Sequence, residues 1–147
     1  MAYYYCENDN LVFNDYMIED YAYEYRGEEE GFYCLNITCC GELIKIDENI
    51  AETIVILNKK GYITIGSCSG HLGFLNEAYI QFKDNYNFET LPKGFIVRGY
   101  MNSIVCKEFE LKDFGTMKRQ ADIWETAKDL LEWAESLPDN KLIDVKN

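Results

Sequence analysis

The chain has 147 residues, enough for one domain with a real core, and its two prolines, ten glycines and 15% aromatic residues exclude a disordered or collagen-like polypeptide. A net charge of −12 repels phosphate backbones and argues against direct nucleic-acid binding. No apolar run reaches the length of a membrane span and the N-terminus lacks a basic leader, so a cytoplasmic protein with six reduced cysteines is expected, away from any membrane.

Residues 1–46 read as an acidic, tyrosine-rich meander of short strands. They hold ten carboxylates against Arg26 and Lys45, which places −8 of the −12 there, together with eight of the twelve tyrosines. Tyr21 to Tyr25 alternates as a half-exposed strand does, 27–31 is a turn, and Phe32 to Thr38 is the returning strand. After Gly41, Glu42 to Ile46 forms the last strand of this part.

The remainder, 47–138, reads as a helix–strand–loop–strand core with a C-terminal helix. Asp47 is a good N-cap, Glu48 adds favourable charge to the first turn, Ile50, Ile54 and Leu57 form one face, and Gly61 supplies the stop. Tyr62 to Gly66 and Ala78 to Phe82 read as buried strands on either side of a loop, Ser67-Cys68-Ser69-Gly70-His71. Phe95 to Met101 and Ser103 to Leu111 read as a hairpin. A second helix is expected from Thr116 to Leu137, ended by Pro138, with Met117, Ala121, Trp124, Ala127, Leu131 and Ala134 as its stripe. On that phase Trp124 belongs to the core and Trp133 falls off it. The expected fold is α+β, a largely antiparallel sheet with two main helices packed on it.

The loop carries the chemistry. Glycine and small polar residues permit a tight backbone that aims several N–H groups into one concavity, Ser67 and Ser69 add hydroxyls, and His71 adds a donor whose charge switches near neutral pH. Ser67, Cys68, Ser69, Gly70 and His71 are therefore the candidate ligand-binding residues, suited to a small anionic ligand. Zinc is the alternative cofactor: Cys68 and His71 have ligand-like spacing, and two of Cys34, Cys39 and Cys40 would have to complete the site. No complete catalytic set is visible, so the chain is expected to be non-enzymatic.

The runs Ile46 to Ala51, Leu57 to Tyr62, Ser67 to His71, Ala78 to Phe82, Leu91 to Phe95 and Leu131 to Pro138 resemble small uncharacterised accessory proteins of phages and prophages, over about residues 34–138. That resemblance implies a counter-defence protein, and sequestering a nucleotide-like host signal at the loop would be a coherent use. The helix–strand–Ser67-Cys68-Ser69-Gly70 segment is also similar to the wybutosine-synthesising tRNA methyltransferase family, whose loop ends in arginine. This likeness implies a pocket at the loop and does not extend to methyl transfer.

A second functional reading uses the acidic meander. Glu19, Asp20, Tyr23, Glu24, Tyr25, Glu28, Glu29 and Glu30 could mimic nucleic acid and block a basic host defence protein, as anti-CRISPR-like inhibitors would. A second copy of the chain is a further partner the sequence leaves open.

Overall fold

In the computed structural model, residues 3–14, 17, 43–73, 76–99 and 103–140 are described. Among these residues seven strands form two antiparallel sheets. Strands β1 (Tyr3–Cys6), β2 (Leu11–Asn14) and β3 (Leu43–Ile46) form a three-stranded sheet in the order β2-β1-β3. Strands β4 (Thr64–Cys68), β5 (Glu77–Phe82), β6 (Ile96–Arg98) and β7 (Ile104–Glu108) form a four-stranded sheet in the order β4-β5-β7-β6. With helices α1 (Ala51–Lys59) and α2 (Met117–Ser136) this is the α+β fold expected, divided between two sheets. No helix among the described residues is long and apolar enough to cross a membrane. The strands expected at Tyr21–Tyr25 and Phe32–Thr38 lie outside the described residues.

One apolar core spans both sheets. Ala78, Ile80 and Phe82 of β5 and Val105 of β7 meet Ile54 and Leu57 of α1, and Ile123, Leu130 and Trp133 of α2. Tyr5 and Ile46 bring the smaller sheet into the same cluster. The β1–β2 turn is fixed on α1 through Asn10, which accepts from the Tyr5 hydroxyl at 2.7 Å and donates to the Val55 carbonyl at 3.2 Å.

Helix ends explain the chain's turns. Gly61 stops α1 with φ at 95°, where its N–H reaches the Asn58 carbonyl (3.0 Å) and the Tyr62 N–H reaches that of Leu57 (2.9 Å). This pairing satisfies the last carbonyls, and a left-handed residue is required for it. Thr116 caps α2 by accepting from the Arg119 N–H at 3.2 Å. At the other end, the Lys60 ammonium donates to the carbonyls of Ala134, Glu135 and Leu137, at 2.6–2.8 Å. A cation among those carbonyls complements the negative end of the helix dipole and locks the two helices together.

The buried face of α2 keeps Ala127 and Ala134 of the expected stripe but leaves Met117, Ala121 and Trp124 exposed. Arg119, Ile123, Thr126, Ala127, Leu130, Trp133 and Ala134 face inward. Trp133 is 5% exposed and donates its indole N–H to the Thr90 carbonyl at 2.8 Å, whereas Trp124 is 68% exposed. The two tryptophans are nine residues apart and lie on opposite sides of a helix with 3.6 residues per turn. The inward stripe was obscured because it begins with a cation and contains a threonine.

Arg119 is completely buried. Its guanidinium donates to the His71 carbonyl (3.1 Å), the Asn76 side-chain oxygen (3.0 Å) and the Glu110 carbonyl (2.6 Å), and it lies 5.3 Å from the centre of the Phe109 ring. Its Nε has no partner, and no ion pair is formed to it among the described residues. Neutral oxygens and an aromatic face thus carry the whole charge. Arg119→Ala should leave those acceptors dry and a cavity behind, costing about 3–5 kcal/mol, and Arg119→Lys, which keeps the charge without the fork, should cost less. Urea denaturation of the two variants measures both.

Candidate functional site

The Ser67–His71 segment is half strand. A bulge between Thr64 and Gly66 shifts the register so that Ser67 pairs with Ile80 and Cys68 with Tyr79, extending β4 to Cys68 instead of ending it at Gly66. The remaining three residues turn the corner. Gly70 has φ at 101°, and a Cβ placed there would lie 2.6 Å from the Phe109 ring. Only glycine lets the backbone approach this closely with that dihedral.

Ser69, Gly70 and His71 border an open cleft of about 620 Å³. Its other sides are Asp47, Glu48 and Asn49, at the 3₁₀ turn that leads into α1, and Trp124 of α2. Ser67 and Cys68 are not among its lining residues. Asp47, Glu48, Asn49 and Trp124 thus stand outside the five residues to which the sequence points, where the local pattern reads Asp47 as a helix cap and Trp124 as core. The signal for Trp124 is present in the helix phase, since a tryptophan opposite Trp133 must face outward, whereas nothing local marks Asp47 as the partner of Ser69.

Asp47 makes no side-chain cap bond. Its carboxylate instead accepts from the Ser69 N–H at 2.8 Å and the Ser69 hydroxyl at 3.0 Å. The corner thus binds an anion, and that anion belongs to the chain. A phosphate brought about 4 Å from this carboxylate would meet a repulsion of about 4 kcal/mol at an effective dielectric near 20, which outweighs a single neutral hydrogen bond. Among the described residues no lysine or arginine lines the cleft.

Beneath the corner, the Cys68 sulfur lies 3.2 Å from His71 Nε2, and the Gly70 N–H points at the same sulfur from 3.4 Å. Burial pushes the thiol's pKa up, the Gly70 N–H pulls against it, and Asp47 and Glu77 push it further up. A thiol that keeps its proton at neutral pH is a poor nucleophile. The Cys–His contact therefore braces the corner.

Cys68 and His71 are together as a zinc site would require, but among the described residues no group of three or more His, Cys, Asp or Glu side chains is placed to hold a metal. Cys34, Cys39 and Cys40 lie outside the described residues, as do Glu19, Asp20, Tyr23, Glu24, Tyr25, Glu28, Glu29 and Glu30. The three described cysteines, Cys6, Cys68 and Cys106, are buried.

Compared with protein-family models, curated proteins and solved structures, the chain matches none.

Gly70→Ala should destabilise the fold by about 1–3 kcal/mol, from the dihedral and the Phe109 contact together. Phe109→Leu should recover part of that loss in a double-mutant cycle.

The alkaline side gives a second check. Cys68 and Cys106 have pKa values raised above 9.0 by burial, and Tyr62 and Tyr86 above 10.0. The unfolded chain releases these protons first, so their stabilising contribution is complete below about pH 9 and is lost as pH rises through the folded values. The urea midpoint should accordingly fall between about pH 9 and pH 11, and Cys68 should react with a thiol reagent at pH 7 far more slowly in the folded than in the unfolded protein.

Proposed function

We propose that this is a non-catalytic binding protein whose corner cleft takes the nucleoside end of a nucleotide-like ligand and leaves the phosphates in solvent. The observation that carries the reading is the exposed Trp124 indole beside Asp47 and Glu48 in one cleft. An indole face stacks a base, and carboxylates accept from ribose hydroxyls, as acidic residues do in dinucleotide-binding folds. Asn49 and His71 supply further polar edges. Among the described residues the cleft has no lysine or arginine to hold phosphate, which supports directing the anionic end outward.

The likeness to phage accessory proteins supports counter-defence by sequestering a host nucleotide signal. The acid concentrated in residues 1–46 favours a second reading, an inhibitor that uses Glu19 to Glu30 against a basic nucleic-acid-handling protein.

Titrating the whole protein with adenosine, guanosine and their triphosphates, read by tryptophan fluorescence, tests the main reading. Trp124 is the exposed reporter, because the only other tryptophan, Trp133, is buried. A nucleoside should quench the signal, its triphosphate should bind more weakly at low salt, and the gap should narrow toward about 0.5 M salt as repulsion is screened. Trp124→Ala should cost about 1–3 kcal/mol of binding, the worth of one stacked base. Reversing Glu28, Glu29 and Glu30 to lysine should leave nucleoside binding unchanged and abolish inhibition of a basic target. Absence of nucleoside binding, or indifference to Trp124→Ala, removes the cleft reading.

A further inference from the structure

We propose that the outward side of the first half of α2, with the turn before it, is a docking face for a basic amphipathic segment of a partner protein. Met117 and Trp124 lie seven residues apart, two helical turns, and are 82% and 68% exposed. Ala121 lies between them on the same face, also exposed. Phe114 and Leu111, in the preceding turn, are 56% and 70% exposed. Leu72 joins them, because its carbonyl accepts from the Gly115 N–H at 2.7 Å. Single exposed apolar side chains are ordinary, but here they gather on one helix face and the turn that leads into it, the kind of grouping that marks an interaction surface.

Charge selects the occupant. The stripe ends at Trp124, which shares its cleft with Asp47 and Glu48, and Glu110 and Glu125 beside it are exposed acids. Lys118, next to Met117, is already within 3.4 Å of Asp122 and 3.7 Å of Asp113, and the exposed Lys112 and Lys128 are outnumbered by Asp47, Glu48, Glu110 and Glu125. A second copy of the chain would bring another −12 to this surface, and nucleic acid would be repelled by the same field. A segment with leucine-like residues on one side and lysine or arginine on the other satisfies both features: apolar side chains cover Phe114 and Met117, and its cations reach the acids at the rim.

This inference shares Trp124, Asp47 and Glu48 with the nucleoside cleft, and is tested apart from it at Phe114 and Met117, which do not line that cleft. The probe is a synthetic lysine–leucine amphipathic helix of about 18 residues, long enough to be helical. A lysine–serine peptide of equal charge is the control. Binding to the whole protein is measured by fluorescence anisotropy, and the oligomeric state by sedimentation. The lysine–leucine peptide should bind at least about tenfold more tightly than the control, and Phe114→Ser with Met117→Ser should erase that difference. Both side chains being exposed, the double variant should unfold at the same urea concentration and bind nucleosides as before. Equal binding of the two peptides would reduce the effect to bulk charge and overturn the proposal. So would an unchanged double variant, or a wild-type dimer that the double substitution dissociates, which would make a second copy the occupant.

Discussion

The buried guanidinium of Arg119 is the constraint from which the rest of the corner follows. A cation taken wholly out of water loses several kcal/mol of solvation and must recover it from fixed dipoles. Here the dipoles come from three separate places: the carbonyl that closes the loop at His71, the Asn76 side chain that precedes β5, and the Glu110 carbonyl that follows β7. None can move without leaving the charge exposed to a dry interior. One side chain on α2 therefore fixes the loop and both neighbouring strands relative to the helix. The Phe109 ring, which faces Arg119 on one side and crowds Gly70 on the other, passes that constraint to the backbone of the corner.

The corner is held in a second way, by charge of the opposite sign. Asp47 occupies the Ser69 donors that a glycine-containing turn makes available. A loop built to gather N–H groups becomes a joint between β4 and the turn entering α1, and its anion-binding capacity is spent internally. Among the described residues the cleft beside the joint is lined by acceptors and an indole and by no lysine or arginine, which is the lining the proposed nucleoside reading uses. Concavity at a glycine turn predicts a binding site only after its own carboxylates have been placed.

Local punctuation was legible in the sequence wherever one residue type has one physical use. Gly61 ends α1 in the left-handed conformation and Thr116 caps α2, both as composition and position imply. Side-chain identity was misleading where a residue has two uses. Asp47 has the chemistry of a cap and caps nothing, because two donors across the chain compete for it. Arg119 broke the apolar pattern of the true inward stripe and shifted the expected phase onto Met117, Ala121 and Trp124. The wrong phase also hid Trp124 from the candidate site. The extension of β4 through Ser67 and Cys68 was not readable, since a bulge at Ile65 is set by pairing with β5 and not by local sequence.

That error of phase carries physical information of its own. A helix with two apolar stripes on opposite sides can bury only one of them against a sheet, and the choice here fell to the stripe with fewer large apolar residues in its first half. Arg119 explains the choice: its three acceptors exist only on the inner side, so turning the helix to bury Trp124 would place Met117 among carbonyls and strand the guanidinium's partners. Exposure of Met117 and Trp124 is thus a consequence of how the corner is tied. The acids around that surface are what would oppose a second acidic copy and favour the basic segment proposed above. Anchoring the loop, orienting Trp124 into the cleft and leaving the outer stripe uncovered are three results of one buried cation.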